Sequence, residues 1–376
     1  MKPNLAAPDR VSTLELFFDL VFVFTITQVS TVIVRSPDAR GLARAAIELA
    51  VICWMYGGYA WMTNAVSSER WDRRLLLLLG MGGFFTCSLA VPRAFDEDGI
   101  VFGAAYLFVT LVHLSGFLLG SGRTPLRAIL RLAPWNLLSA GLVLAAGWAY
   151  GTADWWLWGG ALAVQLLTPF FSRADEGFVV NATHFAERHG LVILIVLGES
   201  IVSIGLAAED RRVDLPLLFG AIAGLMAVAA MWRAYFIADD TRAAEAFERA
   251  SGPVRTDQAL LGYGLAHLVM IDGVIAMAAG ARLSIHQLTS AVPSWDAWLI
   301  AGGAALFMAG SALFRRVMGF ASPWPRLAGV PLCLAAVPAG IRGSAAAELA
   351  ALAVLITLAL LLDHLVEWRT TGRVAR

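Results

Sequence analysis

The chain has 376 residues, 59% of them hydrophobic and 15% charged, with 28 basic and 28 acidic side chains and a mean hydropathy of +0.71. Soluble globular proteins carry about 25% charged residues, so the composition argues for a polytopic membrane protein with little room for a soluble domain. A net charge of zero, with no Lys/Arg-rich tail and no basic stripe interleaved with aromatics, argues against nucleic acid as a partner.

Residues 1–13 lack the apolar core and small-residue cleavage site of a secretory signal, so the first span is expected to stay in the mature protein. Apolar windows of about 20 residues, enough to cross the hydrocarbon, recur near 14–34, 42–63, 75–94, 99–120, 127–149, 153–172, 189–208, 215–236, 257–281, 296–314, 324–340 and 345–366. The pattern predicts an all-α polytopic membrane protein with about twelve transmembrane helices, embedded among membrane lipids. Cytoplasmic loops retain an excess of Lys and Arg. With the N-terminus inside, the inner segments hold nineteen basic residues and the outer ones eight, which predicts two cytoplasmic termini.

In the first span, Ser12 and Glu15 have capping-box spacing, in which hydroxyl and carboxylate each satisfy a free N–H at the helix start. Asp19 lies one turn deeper and no cap explains it; it belongs to a polar network, a permeation path or a structural ion pair. Arg44 and Glu48 in the second span have the spacing of an intrahelical ion pair. The fourth span places Tyr106, Thr110 and His113 on one face. Asn136, Gln165 and Thr168 read as interhelical hydrogen-bonders, and Trp155, Trp156 and Trp158 as an interfacial aromatic belt. Cys53, Cys87 and Cys333 are far apart and suit small core hydrophobes better than disulfides or metal ligands.

The seventh span is the most informative. His184, Glu187 and Arg188 stand at its start with helical spacing, and Glu199, Ser200 and Ser203 interrupt the apolar run that follows. A carboxylate at the centre of a bilayer costs about 2.5–3.5 kcal/mol on insertion scales, so Glu199 should face a partner, a cavity or a pathway. Arg188 lies about 16 Å away along the helix, too far to pair with it directly. Gly198 suggests a closely approaching helix. In the ninth span, Tyr263 and His267 share a face near Asp272, so His267 or His113 with Glu199 or Asp19 is a candidate proton relay, the alternative being ordinary interhelical hydrogen bonds.

A shift of about 172 residues brings Glu15 onto Glu187, Thr27 onto Glu199 and Trp61 close to Trp232. It suggests two six-helix halves, 1–172 and 173–376, which keep the same orientation because six is even. Such proteins usually bind their substrate between the halves.

The run Glu15-Leu-Phe-Phe-Asp-Leu-Val-Phe-Val-Phe-Thr-Ile-Thr-Gln28, the stretch His184-Phe-Ala-Glu-Arg-His-Gly190 with Leu197-Gly-Glu-Ser-Ile-Val202, and His267 in a Tyr-x-x-x-His setting closely resemble the bacterial low temperature requirement protein A family. The resemblance implies a multi-pass protein of the bacterial plasma membrane and supplies no reaction. Phe17-Phe18-Asp19 is also similar to the Phe-Ser-Asp signature of a lysosomal-type potassium channel family, with Phe18 in place of the serine and no matching element in the second half.

These observations favour a secondary, proton-linked transporter of an unknown small solute or ion. Asp19, Glu199, His267, Ser200, Ser203 and His113 are the candidates for a substrate or proton pathway, and Glu15, His184, Glu187 and Arg188 for structural or gating roles. A cation channel and a structural or sensory membrane protein are the alternatives. With no nucleophile motif, phosphate loop or metal cluster, neither an enzyme nor a cofactor is expected.

Overall fold

The computed structural model describes residues 12–65, 70–120, 123–149, 152–172, 181–209, 211–237, 239–320 and 322–374. The described residues are almost entirely helical and contain no strand. Eleven helical stretches are long and apolar enough to cross a membrane. The helix over the sixth predicted span, Thr152–Ser172, is not among them. The chain forms two compact units, Met1–Val32 with Ala43–Leu191 and Ala250–Thr256, and Ile33–Leu42 with Val192–Arg249 and Asp257–Arg376.

The first unit contains most of α1 (Thr13–Arg35) and α2 (Ala39–Ala65), then α3 (Trp71–Ala90), α4 (Gly99–Gly120), α5 (Arg123–Ala146), α6 (Thr152–Ser172), the start of α7 (Ala182–Ala207) and the short α10 (Gly252–Asp257). α3 packs on α4, α4 on α5, and α5 on α6. Close approach of α4 and α5 requires glycine: a Cβ on Gly103 would lie 2.5 Å from the Leu144 Cα. Asn136 and Gln165 join helices as the sequence suggests, while the Thr168 hydroxyl donates to the Val164 carbonyl of its own helix. Trp54 donates to Asn136 (3.0 Å), and Gln165 donates to Tyr106 (2.9 Å) and Ser139 (3.0 Å). In hydrocarbon a hydrogen bond between helices removes polar groups that water cannot satisfy.

The second unit holds the rest of α7, α8 (Leu215–Phe236), α9 (Asp239–Arg249), α11 (His267–Leu283), α12 (Ser294–Val317), α13 (Trp324–Leu334), α14 (Val337–Arg342) and α15 (Ala345–Val374). α8 packs on α15, α12 on α11 and α13, and α13 on α15. Asp214 caps α8 by accepting from the Leu217 N–H, with a proline in the first turn, where a missing N–H costs nothing. The eleventh predicted span is a broken helix. Pro331 lies in α13 and another proline opens α14, so the hydrogen-bond ladder is interrupted between the two.

Several sequence expectations change in three dimensions. The connection after α8 folds into α9, an amphipathic helix that buries Asp239, Ala243 and Phe247 and exposes its charged face. The segment before α11 is a π-helix, Gln258–Ala266. Arg44 pairs with Asp96 (3.3 Å) rather than with Glu48, and Glu48 Oε2 is buried without a hydrogen bond. Trp158 is a core residue stacked on Phe95 with centroids 4.9 Å apart, Trp155 also packs on Phe95, and of the three only Trp156 is largely exposed, at 81%. Among the described residues nothing approaches within 4 Å of a Cβ built on Gly198, so none of them makes the close helix crossing expected there.

The α11–α12 contact depends on small residues. A Cβ on Gly303 would lie 2.4 Å from the Met277 backbone nitrogen, whereas one on Gly302 would meet nothing within 4 Å. Gly303→Val should therefore destabilise the protein by at least the usual overpacking cost of about 1–3 kcal/mol, since the atom struck is backbone and cannot turn aside. Gly302→Val should leave it near wild type. Thermal unfolding of the two purified variants checks the contrast.

Candidate functional site

The densest set of buried polar groups in the first unit surrounds Arg188, which is 1% exposed. Its Nη2 donates to Asp19 Oδ1 at 2.6 Å and to the Tyr56 hydroxyl at 3.4 Å. Its Nη1 donates to Thr63 Oγ1 at 3.1 Å and lies 3.6 Å from Glu15 Oε1. The guanidinium also sits over the Phe18 and Tyr56 rings, 5.7 and 5.4 Å from their centroids. Tyr56 donates to the same Asp19 oxygen at 2.8 Å, while the second Asp19 oxygen, Oδ2, is buried with no hydrogen bond.

Helical geometry explains how these residues meet. Glu15 and Asp19 are four apart on α1, and His184 and Arg188 are four apart on α7, so each pair presents one face. Glu187 falls off that face and is exposed. Ser12 and Glu15 form the expected capping box: the Ser12 N–H and hydroxyl both donate to Glu15 Oε2 at 2.8 Å, and the Glu15 N–H donates to Ser12 Oγ at 3.3 Å. Glu15 is thus cap and cluster member at once.

The hydrogen bonds fix the state of His184. The Asn181 N–H donates to Asn64 Oδ1 at 2.7 Å, so the amide nitrogen of Asn64 points the other way. That nitrogen donates to the Asn181 carbonyl (3.1 Å) and faces His184 Nδ1 (3.3 Å), which must therefore accept. The His184 proton is then on Nε2, which donates to Glu15 Oε2 at 3.4 Å. His184 is neutral in this arrangement. Two carboxylates share one guanidinium, and the cluster carries one uncompensated negative charge when both acids are ionised.

His113 of this unit lies apart from the cluster's hydrogen bonds, donating from Nε2 to the Gly58 carbonyl at 3.0 Å. In the second unit, Glu199 accepts from Ser203 at 3.1 Å, one turn along α7, and Ser200 donates to the Leu197 carbonyl at 2.6 Å. Glu199 is 6% exposed. His267 follows the π-helix, and its Nδ1 bonds the carbonyl of Gly262, five residues back, at 3.0 Å. A carbonyl only accepts, so Nδ1 carries a proton, and Nε2 is hydrogen-bonded to the Tyr235 hydroxyl at 2.8 Å. Tyr263 and Phe314 complete an aromatic surround, with centroids 5.4 and 5.0 Å from that of the imidazole.

A second charge network in that unit escaped sequence reasoning. Arg315 Nη1 lies 3.0 Å from both Asp239 and Asp363, and Arg326 contacts Asp363 at 2.9 Å and Asp239 at 3.5 Å. Glu367 joins Arg315 and also pairs with Arg242 at 2.9 Å. Asp363 interrupts the last apolar run as Asp19 interrupts the first, and that was the available signal. Tyr56, Thr63 and Asn64 carried none, because only the placement of α2 brings them to Arg188.

Removing one partner of a buried ion pair leaves the other charge stranded, typically at about 3–5 kcal/mol. Arg188→Met should destabilise the protein by that order, and adding Glu15→Gln and Asp19→Asn should restore part of the loss; thermal unfolding of the purified variants measures both. Histidine NMR on labelled protein should find the His184 proton on Nε2. Asn64→Asp, which can only accept there, should put a second proton on Nδ1, since the imidazole then lies between two carboxylates.

The model of the bacterial low temperature requirement A protein family (LtrA) matches residues 10–362. A protein of Rhizobium meliloti (strain 1021), described as uncharacterized protein RA0937, is 28% identical over 342 residues, which cover 87% of this chain and 82% of that one. No solved structure matches. The family match takes in the whole Arg188 cluster and stops just short of Asp363 and Glu367 of the second, and the chain belongs to the bacterial low temperature requirement A family.

Proposed function

We propose that this multi-pass membrane protein is a proton-linked secondary transporter in which Asp19 is the carboxylate that gains and releases the proton. The observation that carries this reading is the charge imbalance around Arg188. Glu15 and Asp19 face a single guanidinium, the neighbouring His184 is neutral, and Asp19 Oδ2 is buried without a hydrogen bond. Taking a proton onto that oxygen neutralises the cluster and weakens the hold of Arg188 on α1; releasing it restores the clamp. A two-state ion pair of this kind links protonation to helix position, which is what alternating access requires.

Glu199 with Ser203 and Ser200, and the histidines His113 and His267, are the further candidates for the pathway. Each is buried inside a span where an ionisable or polar group is costly without a role. The same reading places the protein in the bacterial plasma membrane with both termini cytoplasmic, following the excess of basic residues in the inner segments.

The test uses everted membrane vesicles energised to acidify their lumen, with acridine orange reporting the gradient and a panel of sodium, potassium and small organic solutes as probes. At least one solute should dissipate the gradient faster than in vesicles lacking the protein, and Asp19→Asn should remove that difference. Dissipation by Asp19→Asn vesicles equal to wild type would refute the role of Asp19. Stepwise current in a planar bilayer would favour a channel.

A further inference from the structure

The second unit contains a buried carboxylate that belongs to neither charge cluster. Glu348 lies in the first turns of α15, is 0% exposed, and neither carboxylate oxygen has a hydrogen-bond partner. Among the described residues no basic nitrogen lies within ion-pair distance of it. Ser344 caps α15 by accepting the Ala347 N–H, so the backbone there is satisfied without Glu348. The carboxylate presses against Gly340 of α14, where a Cβ would lie 2.0 Å from Oε2 and 3.2 Å from the Ala297 side chain.

Two more buried side-chain oxygens that make no hydrogen bond belong to segments that pack near this point. α11 and α12 run antiparallel with Gly280 against Leu299 and Ile300, so Ser284, one turn beyond Gly280, comes level with the start of α12, where Ala297 is found. Ser284 Oγ is 0% exposed and has no hydrogen bond. Gln287 accepts the Ala345 N–H on its carbonyl at 3.0 Å, which places it one turn from Glu348, and its side-chain Oε1 is buried without a donor. α14 is the half of a broken span whose C-terminal, carbonyl-bearing end adjoins this point, with the Gly340 carbonyl accepting from Val292 at 3.0 Å. The charged groups on the neighbouring segments are Arg211, which donates to the Ile285 carbonyl and lies 3.8 Å from Asp214, together with Arg282, His286, Asp296 and Arg342, and among the described residues none forms an ion pair with Glu348.

Here a buried carboxylate and two buried side-chain oxygens make no hydrogen bond. Buried polar oxygens are ordinarily paired, and one proton would satisfy one or two of them. A metal cation satisfies all of them together. One carboxylate supplies one negative charge, so a monovalent cation leaves the site neutral, whereas a divalent ion would leave a positive charge in a low-dielectric interior. Unwound backbone and half-helix C-termini are the elements by which membrane carriers coordinate such ions.

We infer that Glu348, Ser284 and Gln287, at the junction of α11, α14 and α15, form a binding site for a dehydrated monovalent cation of the sodium class. The site does not depend on the proton reading of Asp19. It is tested with purified full-length protein by thermal unfolding in sodium, potassium or choline chloride at constant ionic strength and pH, and by binding of radioactive sodium. Sodium should raise the unfolding temperature of wild type in a concentration-dependent way, as a ligand of the folded state does. Glu348→Gln, which keeps shape and removes charge, should abolish that shift and the bound sodium. Gly340→Ala and Ser284→Ala should weaken both, while Asp296→Asn leaves them intact. A sodium shift retained by Glu348→Gln would overturn the assignment. So would a wild type indifferent to sodium but stabilised by acid, with Glu348→Gln indifferent to both, since that result gives the site to a proton.

Discussion

The cost of placing charge where water is absent governs this structure. A guanidinium or carboxylate inside an apolar bundle persists only if oppositely charged and hydrogen-bonding groups replace its hydration. Each unit meets that condition around a buried arginine. Arg188 is held by Asp19 and Glu15 of α1 with Tyr56 and Thr63 of α2, and Arg315 by Asp239, Asp363 and Glu367 from α9 and α15. Helices that contribute to such a clamp cannot rotate or slide independently, so the clamps fix register where apolar packing alone specifies it weakly.

The remaining architecture follows from the same absence of water. With no hydrophobic drive between helices in lipid, close approach depends on small residues and on hydrogen bonds between helices. Gly273, Gly303 and Gly310 bring α11 and α12 into backbone contact, and Gly103 does the same for α4 and α5. Where the helix is irregular, at the π-helix before His267 and at the break between α13 and α14, polar groups stand beside the irregularity: Tyr235 with His267 at the first, Glu348 with Gln287 near the second. At the first the His267 imidazole bonds the Gly262 carbonyl, whereas near the second the Glu348 and Gln287 side-chain oxygens make no hydrogen bond.

The two kinds of buried carboxylate differ in what surrounds them. Glu15 and Asp19 are embedded in donors, and their electrostatics turn on which of them a single arginine holds. Glu348 has neither a hydrogen bond nor an ion pair among the described residues, and the cation inferred for it would supply the missing countercharge. The hydrogen-bond chain from Asn181 through Asn64 to His184 sharpens the first case, because it settles the tautomer of the histidine from heavy-atom positions alone.

The sequence by itself determined the helical membrane class, the positions of the spans, the Ser12–Glu15 cap and the presence of unpaid charge at Asp19, Arg188 and Glu199, because these follow from hydropathy and local spacing. It left Arg188 apparently at a helix end, paired Arg44 with Glu48, and assigned Trp158 to an interfacial belt. Tertiary structure decided otherwise: Arg188 reaches α1 and α2, Arg44 reaches Asp96, and Trp158 stacks on Phe95. An apolar span shows where a charge is costly, since that depends on its own residues. Which group offsets the charge depends on helices distant in sequence, and only their packing brings the partners within hydrogen-bond range.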